Sequence, residues 1–228
     1  MNLLFRFWLF QTLISVFSAS NADEQTAPWK PAIPFSAEMV VFNRHNPKLQ
    51  EKTRIQIGKA GMRFTKLTTE SEKPFFVAIQ NFDTGHTWIA SPLRLYYAEI
   101  PQVDDSRFVA SDKKEGGWWP VTGILDNTPC QGMKGQKMEE HKLKRTRLTV
   151  WKCQSSQSGE AYLQHYSTLL GIVVRQESQS GHIVELRDFK LESPDPTSFK
   201  PSKLWREVSL KEFFTGTPTL PKYIEEKN

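Results

Sequence analysis

The chain has 228 residues, 38% of them hydrophobic, and 30 lysines and arginines against 25 aspartates and glutamates give it a formal net charge of +5. That excess is too small for the electrostatic footprint of a nucleic-acid binder, although it permits loose attraction to anionic headgroups or polysaccharide. After residue 22 no stretch approaches the roughly 18 consecutive apolar residues of a membrane span.

The chain opens like an export signal. Arg6 closes a short positive region, Phe7 to Phe17 is an apolar run too short to span a bilayer comfortably, and Ser20-Asn21-Ala22 offers small residues before Asp23. Residues 1–22 are therefore expected to be a cleaved signal peptide, with an uncleaved anchor as the alternative, and the mature protein to be soluble in the periplasm. Residues 23–34 carry Pro28, Pro31 and Pro34 and read as an extended leader with no core of its own.

From Phe35 the pattern turns to strands. Phe35, Ala37, Met39 and Val41 alternate with Ser36 and Glu38, the period of a half-buried strand. Thr53 to Lys59 alternates again through Ile55 and Ile57, and Lys59-Ala60-Gly61 reads as a hairpin turn into Met62 to Leu67. Phe75 to Gln80, Thr87 to Ala90 and Arg94 to Ile100 follow as three further strands, with the Asn81 to Gly85 turn inside the series. Short strands in one run with turns between them predict an antiparallel meander rather than βαβ units. Pro101 to Cys130 breaks the rhythm, as a long excursion or a short helix flanked by loops.

The strands resume at Leu148 to Cys153, Ala161 to Tyr166, Ile172 to Glu177 and Ile183 to Leu191, with Gly159, Gly171 and Gly181 at the turns. After a proline-rich stretch, Ser209 is placed to N-cap a short helix over Leu210 to Phe214, stopped by Gly216. The expected division is a single β domain over 35–216 and a C-terminal tail over 217–228.

The residues carry no catalytic signature. The five histidines are scattered, no metal-binding or phosphate-loop motif occurs, and the adjacent carboxylates Asp104-Asp105, Glu139-Glu140 and Glu225-Glu226 sit in polar stretches. No metal and no cofactor are expected. Cys130 and Cys153 are the only cysteines, and in an oxidising compartment such a pair is expected to bridge. Two buried thiols or a redox pair are the alternatives, although redox work usually uses a Cys-x-x-Cys spacing that is absent here. The basic run from Lys134 to Lys152 reads as a solvated hairpin rim or as a patch for anionic lipid or an acidic partner. Trp118 and Trp119 are lid or surface aromatics on one reading and core on the other.

Phe35 to Val41, Gly61-Met62-Arg63-Phe64, Thr87-Trp88-Ile89, Tyr96 to Pro101, Leu170 to Glu177 and Val184 to Phe189 together make a recurring pattern. It resembles the outer-membrane lipoprotein-sorting (LolA-like) superfamily, and within it an uncharacterised exported branch of DUF4412 type. The resemblance implies a mainly β (α+β) fold, a strongly curved antiparallel sheet forming an unclosed β-barrel with few short helices. It also implies a non-enzymatic module that holds lipid, a lipoprotein acyl chain or another hydrophobic ligand on an apolar concave face. Lys59-Ala60-Gly61 stands roughly where the carriers have an arginine-proline segment, and no carrier residue is transferred. The residues expected to line the face are Met39, Val41, Ile55, Ile57, Met62, Phe64, Phe75, Val77 and Trp88. The alternative is an envelope protein-protein interaction or stress-sensing module of the same fold; a hydrolase or transferase acting on envelope glycans or lipids has no constellation in its favour.

Overall fold

The computed structural model describes residues 33–101, 123–143, 146–156 and 158–216. The expected signal peptide and leader up to residue 32, Trp118, Trp119 and the expected tail from 217 lie outside the described residues.

The strands are β1 (Phe35–Asn43), β2 (Asn46–Ile57), β3 (Gly61–Leu67), β4 (Pro74–Asn81), β5 (Thr87–Ser91) and β6 (Tyr96–Ile100), then β7 (Lys134–Leu143), β8 (Thr146–Gln154), β9 (Ala161–Ser167), β10 (Ile172–Ser178), β11 (His182–Lys190) and the short β12 (Arg206–Glu207). All belong to one curved, open sheet in the order β12-β6-β5-β4-β3-β2-β1-β11-β10-β9-β8-β7. Every neighbouring pair is antiparallel except β12 on β6. From β1 at mid-sheet the described strands meander outward to β6, resume at the opposite edge with β7 and meander back until β11 meets β1.

Alternation along the strands sets the faces. Phe35 pairs with Ile57 and Ala37 with Ile55, while Ile55 pairs with Phe64 and Ile57 with Met62, so these side chains share one face. They form the main core cluster with Met39, Ile172, Val184 and Leu186, joined by Ile124 from the crossover. Arg63 pairs with Ile79 and Thr65 with Val77, which puts Val77 and Ile79 on the opposite face. There they are covered by Phe199, at the end of a 3-10 turn over Pro196–Phe199 whose Asp195 carboxylate accepts the Thr197 N–H at 2.8 Å. Two glycines admit that ring. A Cβ at Gly61 would lie 2.3 Å from the Gln80 carbonyl oxygen and 2.9 Å from Phe199, and one at Gly58 would lie 2.9 Å from the same ring. Full burial of a phenylalanine contributes roughly 2–3 kcal/mol, so this close approach fixes how the C-terminal segment crosses the sheet.

The segment then pairs β12 with β6 and ends in α1 (Leu210–Thr215), which carries Phe213 against Ile89, Ala98 and Val208. Ser209 Oγ accepts the Glu212 N–H at 3.1 Å, and Gly216 adopts φ 66°, which places the cap and the stop where the sequence predicts them.

Candidate functional site

β10 and β11 are paired only between Arg175–Glu177 and Ile183–Glu185. Beyond Arg175 they diverge. The Val173 N–H donates to the Asp126 carbonyl and the Val173 carbonyl accepts the Leu125 N–H, so residues 125–126 take the edge of β10 that β11 has left. A register shift between Val173 and Arg175, opposite Tyr166 and His165 of β9, accompanies the fork.

An open groove of about 350 Å³ lies at this fork. Leu148 of β8 and Leu169 and Leu170 of the β9–β10 turn form one part of its wall, and Val174, Leu186, Phe189 and Leu191 form the rest. Leu170, Val174 and Leu186 are nearly buried, whereas Phe189 is 37% and Leu191 53% exposed. The groove thus has a core-like floor and a greasy, solvent-facing lip. Phe189 is held by Phe35, with ring centroids 5.8 Å apart. Its volume lies at the small end of ordinary ligand pockets.

The polar side of the groove is His165, Ser167, Arg175 and Glu185. Arg175 pairs with Glu185, and with Glu177 at 3.2 Å; Glu177 in turn pairs with Arg44 and Glu185 with Arg187. Each charge of this ladder of three arginines and two glutamates has a partner, and a half-buried pair of this kind is worth little to stability but fixes geometry. Burial first, and then the Arg175 guanidinium and His141, hold His165 below the usual imidazole range. Near neutral pH it lines the groove as an uncharged ring.

The crossover is tied to the sheet beside the fork. Cys130 and Cys153 form a disulfide with Cα atoms 5.2 Å apart. The fully buried Gln164 accepts the Cys130 N–H at 2.7 Å and donates to Gln176 Oε1 at 2.7 Å. Gly123 is pressed against this amide pair, since an added Cβ would fall 1.8 Å from Gln176 Oε1. Among the described residues no group of three or more His, Cys, Asp and Glu side chains is placed to hold a metal ion.

The residues expected to line an apolar face divide between two sides of the sheet. Met39, Ile55, Ile57, Met62 and Phe64 share the main core cluster, with Val41 packed at its margin. Val77 belongs to the cluster on the other face, with Trp88 at its rim, and Phe75 is half-buried next to the irregularity between Lys66 and Leu67. The expectation placed them together because the apolar run Phe75 to Ile79 is buried on both faces, which hides its parity. None of the nine lines the groove at the fork. A signal for that groove was present in Phe189 and Leu191 alternating with Asp188 and Lys190 beyond the paired length of β10. Lys134 to Lys152 is a hairpin, β7 and β8, with β7 at the sheet edge.

No protein-family profile matches the chain, and no curated protein sequence does. Among solved structures it is similar to PNGF-II at 10% identity and a TM-score of 0.45, the likeness covering 81% of this chain and 32% of that one. It is similar to MucB, solved in complex with MucA(peri), at 9% identity and a TM-score of 0.46 over 77% of this chain and 57% of MucB. The chain therefore spans about a third and somewhat over half of these two proteins. A LolA superfamily protein from Nitrosomonas europaea is similar at 8% identity and a TM-score of 0.31, over 74% of this chain and 90% of its own.

Proposed function

We propose that this chain is a periplasmic, non-enzymatic binding module that handles a lipid, a lipoprotein acyl chain or another hydrophobic ligand, and that the ligand occupies the groove at the β10–β11 fork. The observation that carries the reading is the groove itself. Seven apolar side chains converge on about 350 Å³ of open space, and Phe189 and Leu191 are left exposed at its lip. Burying acyl surface there stabilises a complex by roughly 0.8 kcal/mol per methylene. The export signal expected over residues 1–22 and the resemblance in strand pattern to the lipoprotein-sorting superfamily support the compartment and the ligand class. No helix among the described residues is long and apolar enough to cross a membrane.

The test is native mass spectrometry with lipid extraction on protein purified from a periplasm. An acyl species bound to the wild type and absent from Leu191→Asp is the expected result; Leu191 is exposed enough for that change to leave the fold intact. A clean ligand-free mass, with no shift in melting temperature on adding fatty acid or phospholipid, overturns it. The second reading, an envelope protein-protein module, draws on β7, a ten-residue edge strand whose outer side has no neighbour among the described residues. Such an edge offers unpaired backbone groups to a partner strand, although Lys134, Lys137, Glu139 and Glu140 guard it.

A further inference from the structure

Arg63 projects from β3 on the face opposite Met62 and Phe64, beneath the Pro196–Phe199 turn. Nε donates to Thr65 Oγ1 at 3.4 Å, Nη1 donates to the Ser198 carbonyl at 3.2 Å, and the Trp205 ring centroid lies 5.9 Å from Cζ. A guanidinium has five N–H donors, so most of its capacity is unspent. Among the described residues no carboxylate lies within ion-pair distance of it, although the side chain is half-buried. Burial alone lowers its proton affinity. A half-buried cation without a counter-ion is costly, and such an arrangement is tolerated where an anion completes it.

Arg63 lines a groove of about 580 Å³ together with two more cations, Arg54 and Lys190. Neither of these has an ion-pair partner among the described residues. The groove's carboxylates are Glu38 and Asp188, and Lys52, which lies 2.6 Å from Glu72, also reaches Glu38 at 3.6 Å. Three cations therefore face two carboxylates, an excess of one positive charge, while Ser36 and Gln56 add neutral donors. We propose that this groove binds a phosphate group carried as a monoester, with Arg63 as its bidentate anchor. A phosphomonoester carries a charge of about −1.5 to −2 near neutral pH, enough to draw on Arg63, Arg54 and Lys190 together, and three acceptor oxygens suited to a guanidinium fork. The groove is much larger than a bare anion, which leaves room for the body that bears the phosphate. The proposal is independent of the lipid reading: Asp188 and Lys190 line this groove, whereas Phe189 and Leu191 line the apolar one.

The test titrates the full-length protein with glucose 6-phosphate, with glucose, and with phosphatidylcholine vesicles containing or lacking phosphatidic acid. Binding is read by phosphorus-31 line broadening for the soluble ester and by co-sedimentation for vesicles. Saturable, salt-weakened binding to glucose 6-phosphate but not glucose, reduced about tenfold or more in Arg63→Lys, supports the proposal with a soluble ester as source. Binding confined to phosphatidic-acid vesicles and lost in Arg63→Lys supports it with a lipid headgroup as source. Arg54→Ala with Lys190→Ala, at two exposed positions, gives a second variant whose folding is not at stake; it too is expected to weaken binding. Absence of binding to every phosphate probe overturns the proposal, as does binding left unchanged by both variants.

Discussion

At Asp126 a carboxyl is held where water reaches it poorly. Burial pushes its pKa from 3.8 up to about 6, with no cation contributing to the shift. A carboxyl whose pKa is higher in the folded than in the unfolded chain adds most to stability below the unfolded value, and that contribution is lost as pH rises through the folded value. Asp126 therefore weakens the fold progressively as pH rises from 3.8 to about 6, and fully above that, beside the fork that its own backbone carbonyl helps to build. Asp126→Asn should raise stability at pH 7.5 by on the order of 1–2 kcal/mol, the shift being discounted because the side chain is only half-buried. At pH 4 the gain should nearly vanish. Urea midpoints at the two pH values check this, and an equal gain at both would refute the pKa argument.

Among the elements, those with local causes were legible. The alternation of Phe35, Ala37 and Met39 predicts β1, and Ser209 with Gly216 predicts α1 almost to the residue, because caps and period-two patterns act within a few positions. The β10–β11 fork was not legible. It depends on residues 125–126 displacing β11 from Val173, a contact some 47 positions apart in sequence, and no local pattern announces which strand will lose its partner. The two-residue β12 was missed for the same reason, since Arg206 and Glu207 carry no strand signal and pair only because β6 is there. The faces of β4 were hidden by burial on both sides. Arg63 enters the sequence pattern only as part of Gly61-Met62-Arg63-Phe64; its missing counter-ion shows only once the strand neighbours are known.

The disulfide acts at this same scale, because it anchors the end of the crossover, before β7, to β8. It spans 23 positions, and closing a loop of that size stabilises the fold by roughly 3 kcal/mol on chain-entropy grounds. Cys130→Ala with Cys153→Ala should lower the unfolding free energy by about that amount. Strand β7 should loosen with it, because its Gly135 packs on Cys130, with a notional Cβ 2.8 Å from Sγ. Equilibrium denaturation of the double variant checks the loss; a change below ~0.5 kcal/mol would mean the Gln164 clamp suffices alone.

For the molecule as a whole, the central strand is also the first in sequence among the described strands. β1 lies between β2, which follows it directly, and β11, which begins at His182. One side of β1 can therefore zip up as soon as its hairpin exists, while the other waits for most of the chain. Loop-closure entropy must be overcome before such a distant pairing gains anything, and contacts of this range make folding slow. During that wait an apolar strand edge stands open at the middle of the future sheet, which is when the chain is most exposed to wrong partners. Successive amides along β1 point alternately at β2 and at β11, so the strand records its own assembly. In pulse-labelled hydrogen exchange during refolding, the amides facing β2 should become protected before those facing β11, and simultaneous protection of both sets would mean that the two halves close in one step. A sheet built outward from its central strand spends its folding time with that strand half-paired.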